Sequence, residues 1–500
     1  MKKYEHIFDT RNLQSDLKGR SLRSGAITLG SQAIQFILQL GSTMILARIL
    51  SPEDYGINAM AMTITGFAGM FSSFGLATAT VQRADINHEQ VSILFWINVL
   101  IGVLITVMVA AISPVVAWLY NSPEMLKVIL ALSVIFTITG LSVQHHALLN
   151  RQMKFFSIVS VDVVSMLAGL IVAIIAGYYG FGYWSLVFNV LINATINALG
   201  YWICCRWLPG LPRRDSSVID MVRFGSNLVG SNIVNYFPRN LDNILIGRYH
   251  GSDALGLYSK AYQLLMMPIT NLRHPMARIA IPSLSRLQNN PEQYRSYYLK
   301  CVSLLAFLSM PLVAFMFVCS DLLIDLILGS QWNGASQIFK ILAITAFIQP
   351  VFSTYEMILI SSGRGKSYLI LSVVTALVVC VSFVAGLPWG PIGVAAFYAS
   401  ANYLIAFPTL YYAFKKTSIT IRKFIWAIYR PSFSSLIMAV GYFLIQPLMS
   451  DMTTIFSLVI GFFISTTLYI IVFVSLPGGI AEILEFYSYV KLILRTSNKF

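Results

Sequence analysis

Residues 225–256 read GSNLVGSNIVNYFPRNLDNILIGRYHGSDALG, and residues 25–56 read GAITLGSQAIQFILQLGSTMILARILSPEDYG. Aligned without gaps, Gly25 meets Gly225, Gly30 meets Gly230, Ser31 meets Ser231, Arg48 meets Arg248 and Gly56 meets Gly256. The polar positions match as well. Gln32, Gln35, Gln39 and Ser42 fall opposite Asn232, Asn235, Arg239 and Asp242, and either set occupies an arc of about 80° on a helix. The pattern reads as one membrane helix used twice, with amides in one copy and an ion pair, Arg239 with Asp242, in the other.

Composition fixes the solvent in which such helices sit. The 500-residue chain is 57% hydrophobic and only 11% charged, with a mean hydropathy of +0.73, which is too apolar for a soluble globular protein. A net charge of +14 lies in short basic clusters between apolar runs, the pattern of loops on one side of a membrane; it does not form the continuous basic face that nucleic acid requires. The five cysteines lie in or beside apolar runs without a paired framework or metal-ligand spacing, so neither disulfides nor a metal site is expected. The N-terminal stretch MKKYEHIFDTRNLQSDLKGR lacks an apolar h-region with a small-residue cleavage site, so the first membrane helix reads as a retained one.

Windows of roughly 20 residues, enough to cross the hydrocarbon core, fit about fourteen times. Placing the N-terminus, every second loop and the C-terminus on one side collects about 26 of the 34 Lys and Arg residues there. Both termini are therefore expected to be cytoplasmic. The two copies of the repeat then run in the same direction, which makes them parallel repeats of about six helices each. The expected organisation is a cytoplasmic segment 1–23, an N-lobe 24–205, a cytoplasmic linker 206–220, a C-lobe 221–414, two further helices in 415–476 and an interfacial tail 477–500. A second echo supports the repeat: VQRADINHEQ at 81–90 resembles SRLQNNPEQ at 285–293.

Enzyme chemistry finds little purchase. The six histidines form no HxxxH or HExxH arrangement, and neither a nucleophile elbow nor a phosphate loop is present. The His145-His146 pair reads as packing or interfacial. Charges within apolar spans are more informative, because each costs a few kcal/mol at the bilayer centre unless it is paired or faces water. Arg239 and Asp242 are spaced to neutralise each other as a structural pair, or to line a cavity and exchange partners. Gln32, Gln35 and Gln39 read either as interhelical hydrogen-bond donors or as cavity lining.

The span at 256–284 holds Lys260, Gln263, Asn271, Arg273, His274 and Arg278, with Pro268, Pro275 and Pro282 at intervals of seven. Arg273 has no acidic residue within a turn, so it requires a water-filled cavity or an anionic partner. Asp162 and Glu356 are further carboxyls in apolar context, either protonated structural groups or sites for a driving cation. Cations, amides such as Asn232 and Asn235, and tyrosines such as Tyr262 suit an anionic, hydroxyl-rich solute. From the residues alone, the chain reads as a transporter of a polar, anionic solute.

Five dispersed stretches then add a family resemblance. LARILSPEDYG (46–56), GLATATVQR (75–83), LLNRQMKF (148–155), GFGYWSLV (180–187) and LDNILIGRYHGSDALGLYSKAYQL (241–264) resemble the polysaccharide-transporter branch of the multidrug/oligosaccharidyl-lipid/polysaccharide (MOP) exporter superfamily. They are most similar to the colanic-acid and O-antigen type lipid-linked oligosaccharide flippases. The resemblance implies an all-α integral membrane fold with two pseudo-symmetric six-helix lobes around a V-shaped cavity, plus two extra helices. It also implies flipping of an undecaprenyl-pyrophosphate-linked oligosaccharide repeat across a bacterial inner membrane by alternating access, for exopolysaccharide, capsule or O-antigen biosynthesis.

No cofactor is implied. An H+ or Na+ gradient would drive the cycle, with Asp242, Asp162 and Glu356 as candidate coupling residues. Implied partners are the lipid-linked oligosaccharide, membrane lipids, a polysaccharide polymerase and chain-length proteins. By the same analogy Arg239, Arg273 and Arg278 would hold the pyrophosphate, while Gln32, Gln35, Gln39, Asn232, Asn235 and Tyr262 line the sugar path. The lipid II branch carries basic residues in its first helix where this chain has amides, which moves the expected pyrophosphate site to the second lobe. The alternatives are a drug or small-molecule exporter on the same scaffold, or an integral-membrane polymerase or transferase.

Overall fold

The computed structural model describes residues 8, 17–72, 75–83, 85–212, 217–449, 452–486 and 488, with backbone alone for 17–29 and 217–235. Nearly all of it is helical, and no strand occurs among the described residues. In chain order the helices are α1 (Leu17–Ile49), α2 (Pro52–Gly69), α3 (Leu76–Gln82), α4 (His88–Tyr120), α5 (Glu124–Arg151), α6 (Phe155–Tyr178) and α7 (Trp184–Cys205). A continuous stretch, Ser217–Arg286, then divides at Gly251, whose φ of 84° is non-helical, into α8 (217–250) and α9 (252–286). There follow α10 (Pro291–Val318), α11 (Ser320–Ile327), α12 (Asn333–Phe352), α13 (Tyr355–Ser361), α14 (Gly365–Gly386), α15 (Gly390–Phe414), α16 (Ile421–Ile445) and α17 (Thr454–Ser475). Among the described residues, nine helical segments are long and apolar enough to cross a membrane, the one at Gly365–Phe414 comprising both α14 and α15. The amide- and charge-bearing helices α1, α2, α8 and α9 fall outside that set.

Helix starts are written locally. Ser51 caps α2, its Oγ accepting from Asp54 N at 3.2 Å while Asp54 Oδ2 accepts from Ser51 N at 2.9 Å, with Pro52 in the first turn. The second sequence echo is also a cap. Asn87 Oδ1 accepts from Gln90 N at 2.9 Å before α4, and Asn290 Oδ1 accepts from Gln293 N at 3.2 Å before α10. Glu89 and Glu292 lie at matching places in the two first turns, against the positive end of the helix dipole.

Contacts divide the chain into Met1–Gly256 and Leu257–Phe500. The division falls one helix later than the linker expected at 206–220, because α8 and the start of α9 lie against α2. Tyr236 Oη donates to Thr63 O at 2.5 Å. A Cβ on Gly56 would lie 1.7 Å from Ser252 O, and one on Gly256 would lie 1.8 Å from Pro52 O. Two positions paired by the repeat thus touch reciprocally, and only glycine permits that approach. Within the first unit α4 packs on α5, α6 on α7, and α1 on α6. Within the second, α10 packs on α16 and α12, α14 on α15, and α16 on α17.

Candidate functional site

The second unit gathers three of the charges singled out in the sequence. Arg273 and Arg278 project from α9 and Glu356 from α13 onto one cavity of about 420 Å³, whose lining also includes His274, Ser353 and Pro282. Positions 273, 274, 277, 278, 281 and 282 all line it, the spacing of a single helical face. Arg273 and Glu356 are half-buried and Arg278 is exposed.

Glu356 is held in place from below. Tyr298, fully buried, shares a hydrogen bond with Thr354 Oγ1 at 2.8 Å, and Tyr294 does the same with Ser361 Oγ at 2.7 Å. Two tyrosines of α10 therefore fix both ends of α13, and a carboxyl between those ends has a defined position relative to the arginines of α9. Arginine forks at such a cavity bind phosphate oxygens in two-pronged fashion, and a carboxylate beside them competes for the same donors. In the same helix Lys260 is buried and donates to Gln263 Oε1 at 2.9 Å. Tyr262 stacks on Tyr258 with ring centroids 6.4 Å apart.

The expected ion pair on α8 is not formed. Asp242 is 6% exposed, with Oδ1 accepting from Asn243 N at 2.8 Å. Arg239 is exposed and has no ion-pair partner among the described residues. Spacing of three lets two side chains meet only if both follow the same surface, and here one turns inward and the other outward. Gln32 and Gln35 are half-buried and Gln39 is exposed. None of the three makes a hydrogen bond to another described residue. The side chains of Asn232 and Asn235 lie outside the described residues.

Asp162, on α6, accepts a hydrogen bond from Tyr201 Oη on α7 at 2.5 Å. Sequence reading missed Tyr201, because its partner is 39 residues away on another helix and no local pattern joins them. His145 is a packing residue: it is fully buried, stacked on Trp202 at 4.2 Å, and its Nε2 is 3.1 Å from Trp207 O. His146 instead lies beside Tyr201, ring centroids 5.1 Å apart.

An all-helical bundle with many apolar spans defines a multi-pass membrane protein. The family model described as "Polysaccharide biosynthesis protein" matches residues 45–337, and the chain belongs to that family. It is 26% identical to the lipopolysaccharide biosynthesis protein WzxC of Escherichia coli, over 65% of this chain and 67% of that one. It is 27% identical to the teichuronic acid biosynthesis protein TuaB of Bacillus subtilis, over 71% and 72%. The succinoglycan biosynthesis transport protein ExoT of Rhizobium meliloti is 25% identical over 66% and 67%. Among solved structures, the lipid II flippase MurJ in an inward closed conformation superposes with a TM-score of 0.71 at 16% identity, covering 90% of this chain and 98% of that one. An inward-facing MATE-family multidrug transporter gives 0.60 at 14%, covering 80% and 95%. The fold is that of the MOP superfamily.

Proposed function

We propose that this protein flips an undecaprenyl-pyrophosphate-linked oligosaccharide repeat from the cytoplasmic to the periplasmic leaflet of a bacterial inner membrane, for exopolysaccharide, capsule or O-antigen assembly. It acts by alternating access and without covalent chemistry. About fourteen spans with both termini in the cytoplasm belong to the same reading, supported by the distribution of Lys and Arg. So does the driving ion gradient, H+ or Na+, with Asp242, Asp162 and Glu356 as coupling candidates.

The observation that carries the proposal is the convergence of Arg273, Arg278 and Glu356 on one cavity in a chain of the polysaccharide biosynthesis family. Placing an arginine in a membrane helix costs about 2.5–3.5 kcal/mol on insertion scales, a cost that an anionic ligand offsets. A pyrophosphate supplies oxygens for two guanidinium forks, and Glu356 keeps the cavity from holding that charge too tightly. Exposed Arg239 on α8, half-buried Tyr262 and the open amides of α1 are the remaining candidates for lining the path.

Arg273→Ala in full-length protein should lower flipping of the lipid-linked repeat at least tenfold at unchanged protein level, the loss expected when a charged hydrogen bond of about 1.5–3 kcal/mol is removed. Reconstituted vesicles holding a fluorescent lipid-linked oligosaccharide report this directly. Unchanged flipping would remove the arginines from the mechanism. A gain in drug sensitivity on gene deletion, with no flipping, would assign the scaffold to small-molecule export.

A further inference from the structure

Three helices of the first unit bring ionisable groups together outside the arginine cavity: His146 on α5, Asp162 on α6 and Tyr201 on α7. Tyr201 Oη donates to Asp162 Oδ1 at 2.5 Å. The rings of His146 and Tyr201 lie 5.1 Å apart at 50°. All three side chains are half-buried. Backbone geometry enforces the meeting, since a Cβ on Gly200 would lie 2.6 Å from Val161 Cγ1. That close approach of α7 to α6 delivers the residue after Gly200 onto the residue after Val161.

The surroundings leave this cluster as the local ionisable centre. The helices packed on α6 are α7, α1 and α5. From α7 come Tyr201 and, a turn further, Cys204 and Cys205. From α5 come His146, while His145 is committed to Trp202 and Trp207, and Arg151 to the carbonyls of Thr80, Val81 and Arg83. From α1, residues 30–47 contain no ionisable side chain.

A carboxylate, a phenol and an imidazole make a poor cage for an alkali cation, which needs several oxygen ligands, whereas an imidazole takes up and gives up a proton readily near neutral pH and a carboxylate is a ready acceptor for it. We propose that Asp162, Tyr201 and His146 form a proton-binding site that couples transport to a proton gradient. A proton arrives through the His146 imidazole and adds to the Asp162 carboxylate, giving a neutral carboxyl still bonded to Tyr201. It leaves from the same oxygen to the other compartment after the conformational change. This inference rests on the flippase reading and selects H+ over Na+ within it.

The test uses full-length protein in vesicles with a fluorescent lipid-linked oligosaccharide, comparing no gradient, a one-unit pH gradient, and a Na+ gradient at equal pH. One pH unit supplies at most about tenfold. The pH gradient should accelerate flipping several-fold and the Na+ gradient should not. In Asp162→Asn and His146→Gln the ratio of rates with and without the pH gradient should fall to about one. Tyr201→Phe should move the midpoint of the pH profile by about half a unit or more, a change that a merely structural contact would not produce. Acceleration by Na+ alone, or a full ratio in Asp162→Asn, overturns the proposal. If Asp162→Asn does not fold, His146→Gln carries the same comparison. If the wild type flips nothing, the flippase reading fails instead. The infrared band of a protonated carboxyl, present in wild type and missing in Asp162→Asn, then tests the site by itself; its absence from the wild type across the pH range overturns the site.

Discussion

A single guanidinium holds one helix end in each unit. Arg151, 8% exposed, donates from Nη1 to Thr80 O at 3.2 Å, to Val81 O at 3.4 Å and to Arg83 O, gathering the carbonyls that α3 leaves unpaired where it ends. Arg364 does the same for α15, reaching Ala413 O at 2.6 Å and Tyr412 O at 3.3 Å. Arg151→Ala should destabilise the protein by about 2–3 kcal/mol, the worth of charged hydrogen bonds whose buried acceptors are then stranded. Arg364→Ala, at a less buried site, should cost roughly half as much. Denaturant unfolding in detergent measures both, and equal costs would show that burial does not set the difference. Neither arginine was legible as a cap, because the carbonyls it serves lie on helices remote in sequence. Arg273, Arg278 and Glu356 were legible for the opposite reason: a charge in an apolar run carries its cost locally and so marks itself. With Arg239 and Asp242 the sequence showed the charges but not their directions, which depend on what surrounds α8.

At the scale of helices, the repeat was readable because most of its signal is local. Asn87 with Gln90 and Asn290 with Gln293 are the same cap written twice, and a cap needs only neighbours in sequence. The glycines divide by role. Gly30 has nothing within 4 Å of where a Cβ would sit, whereas Gly56 and Gly256 press against the main chain at Ser252 and Pro52. That distinction depends on tertiary approach and lies beyond any alignment of the two copies. Gly56→Ala should force α2 away from the start of α9, and Gly256→Ala should do the same, each lowering stability by about 1–3 kcal/mol as overpacking does. Because one separation relieves both clashes, the double variant should cost little more than either single one. A double-mutant cycle on melting in detergent checks this, and additive costs would mean that the two contacts yield independently.

Over the whole molecule, composition fixed the class: 57% hydrophobic residues with 11% charge admit only a membrane bundle. Among the described residues the apolar windows expected to span fall largely on helical backbone, with turns at 70–72 and 75 inside the window 57–81, at 319 inside 298–320 and at 353–354 inside 335–361. Those breaks escaped a reading based on apolar length, since hydropathy is continuous across them. The tail after Pro477 was expected as an interfacial helix. Residues 479–486 are helical and dock on the second unit. Glu482 meets Arg430 at 2.6 Å and accepts from Ser303, Glu485 meets Lys300 at 2.5 Å, and Phe486 lies 5.2 Å from Phe307 between ring centroids. Arg430 also donates from Nε to Pro477 O at 2.8 Å, so one arginine of α16 holds both the turn and the helix that follows. The Arg430–Glu482 pair is the more sheltered of the two, with side chains 28% and 13% exposed against 45% and 39% for Lys300 and Glu485. Glu482→Gln should therefore cost about 1–3 kcal/mol by leaving a half-buried guanidinium unneutralised, and Glu485→Gln less than about 1. A chain ending after residue 476 should lose more than either, since it also gives up the Phe307 contact. Melting of the three variants in detergent should follow that order. A truncated chain as stable as the full one would mean that the tail rests on the bundle without holding it.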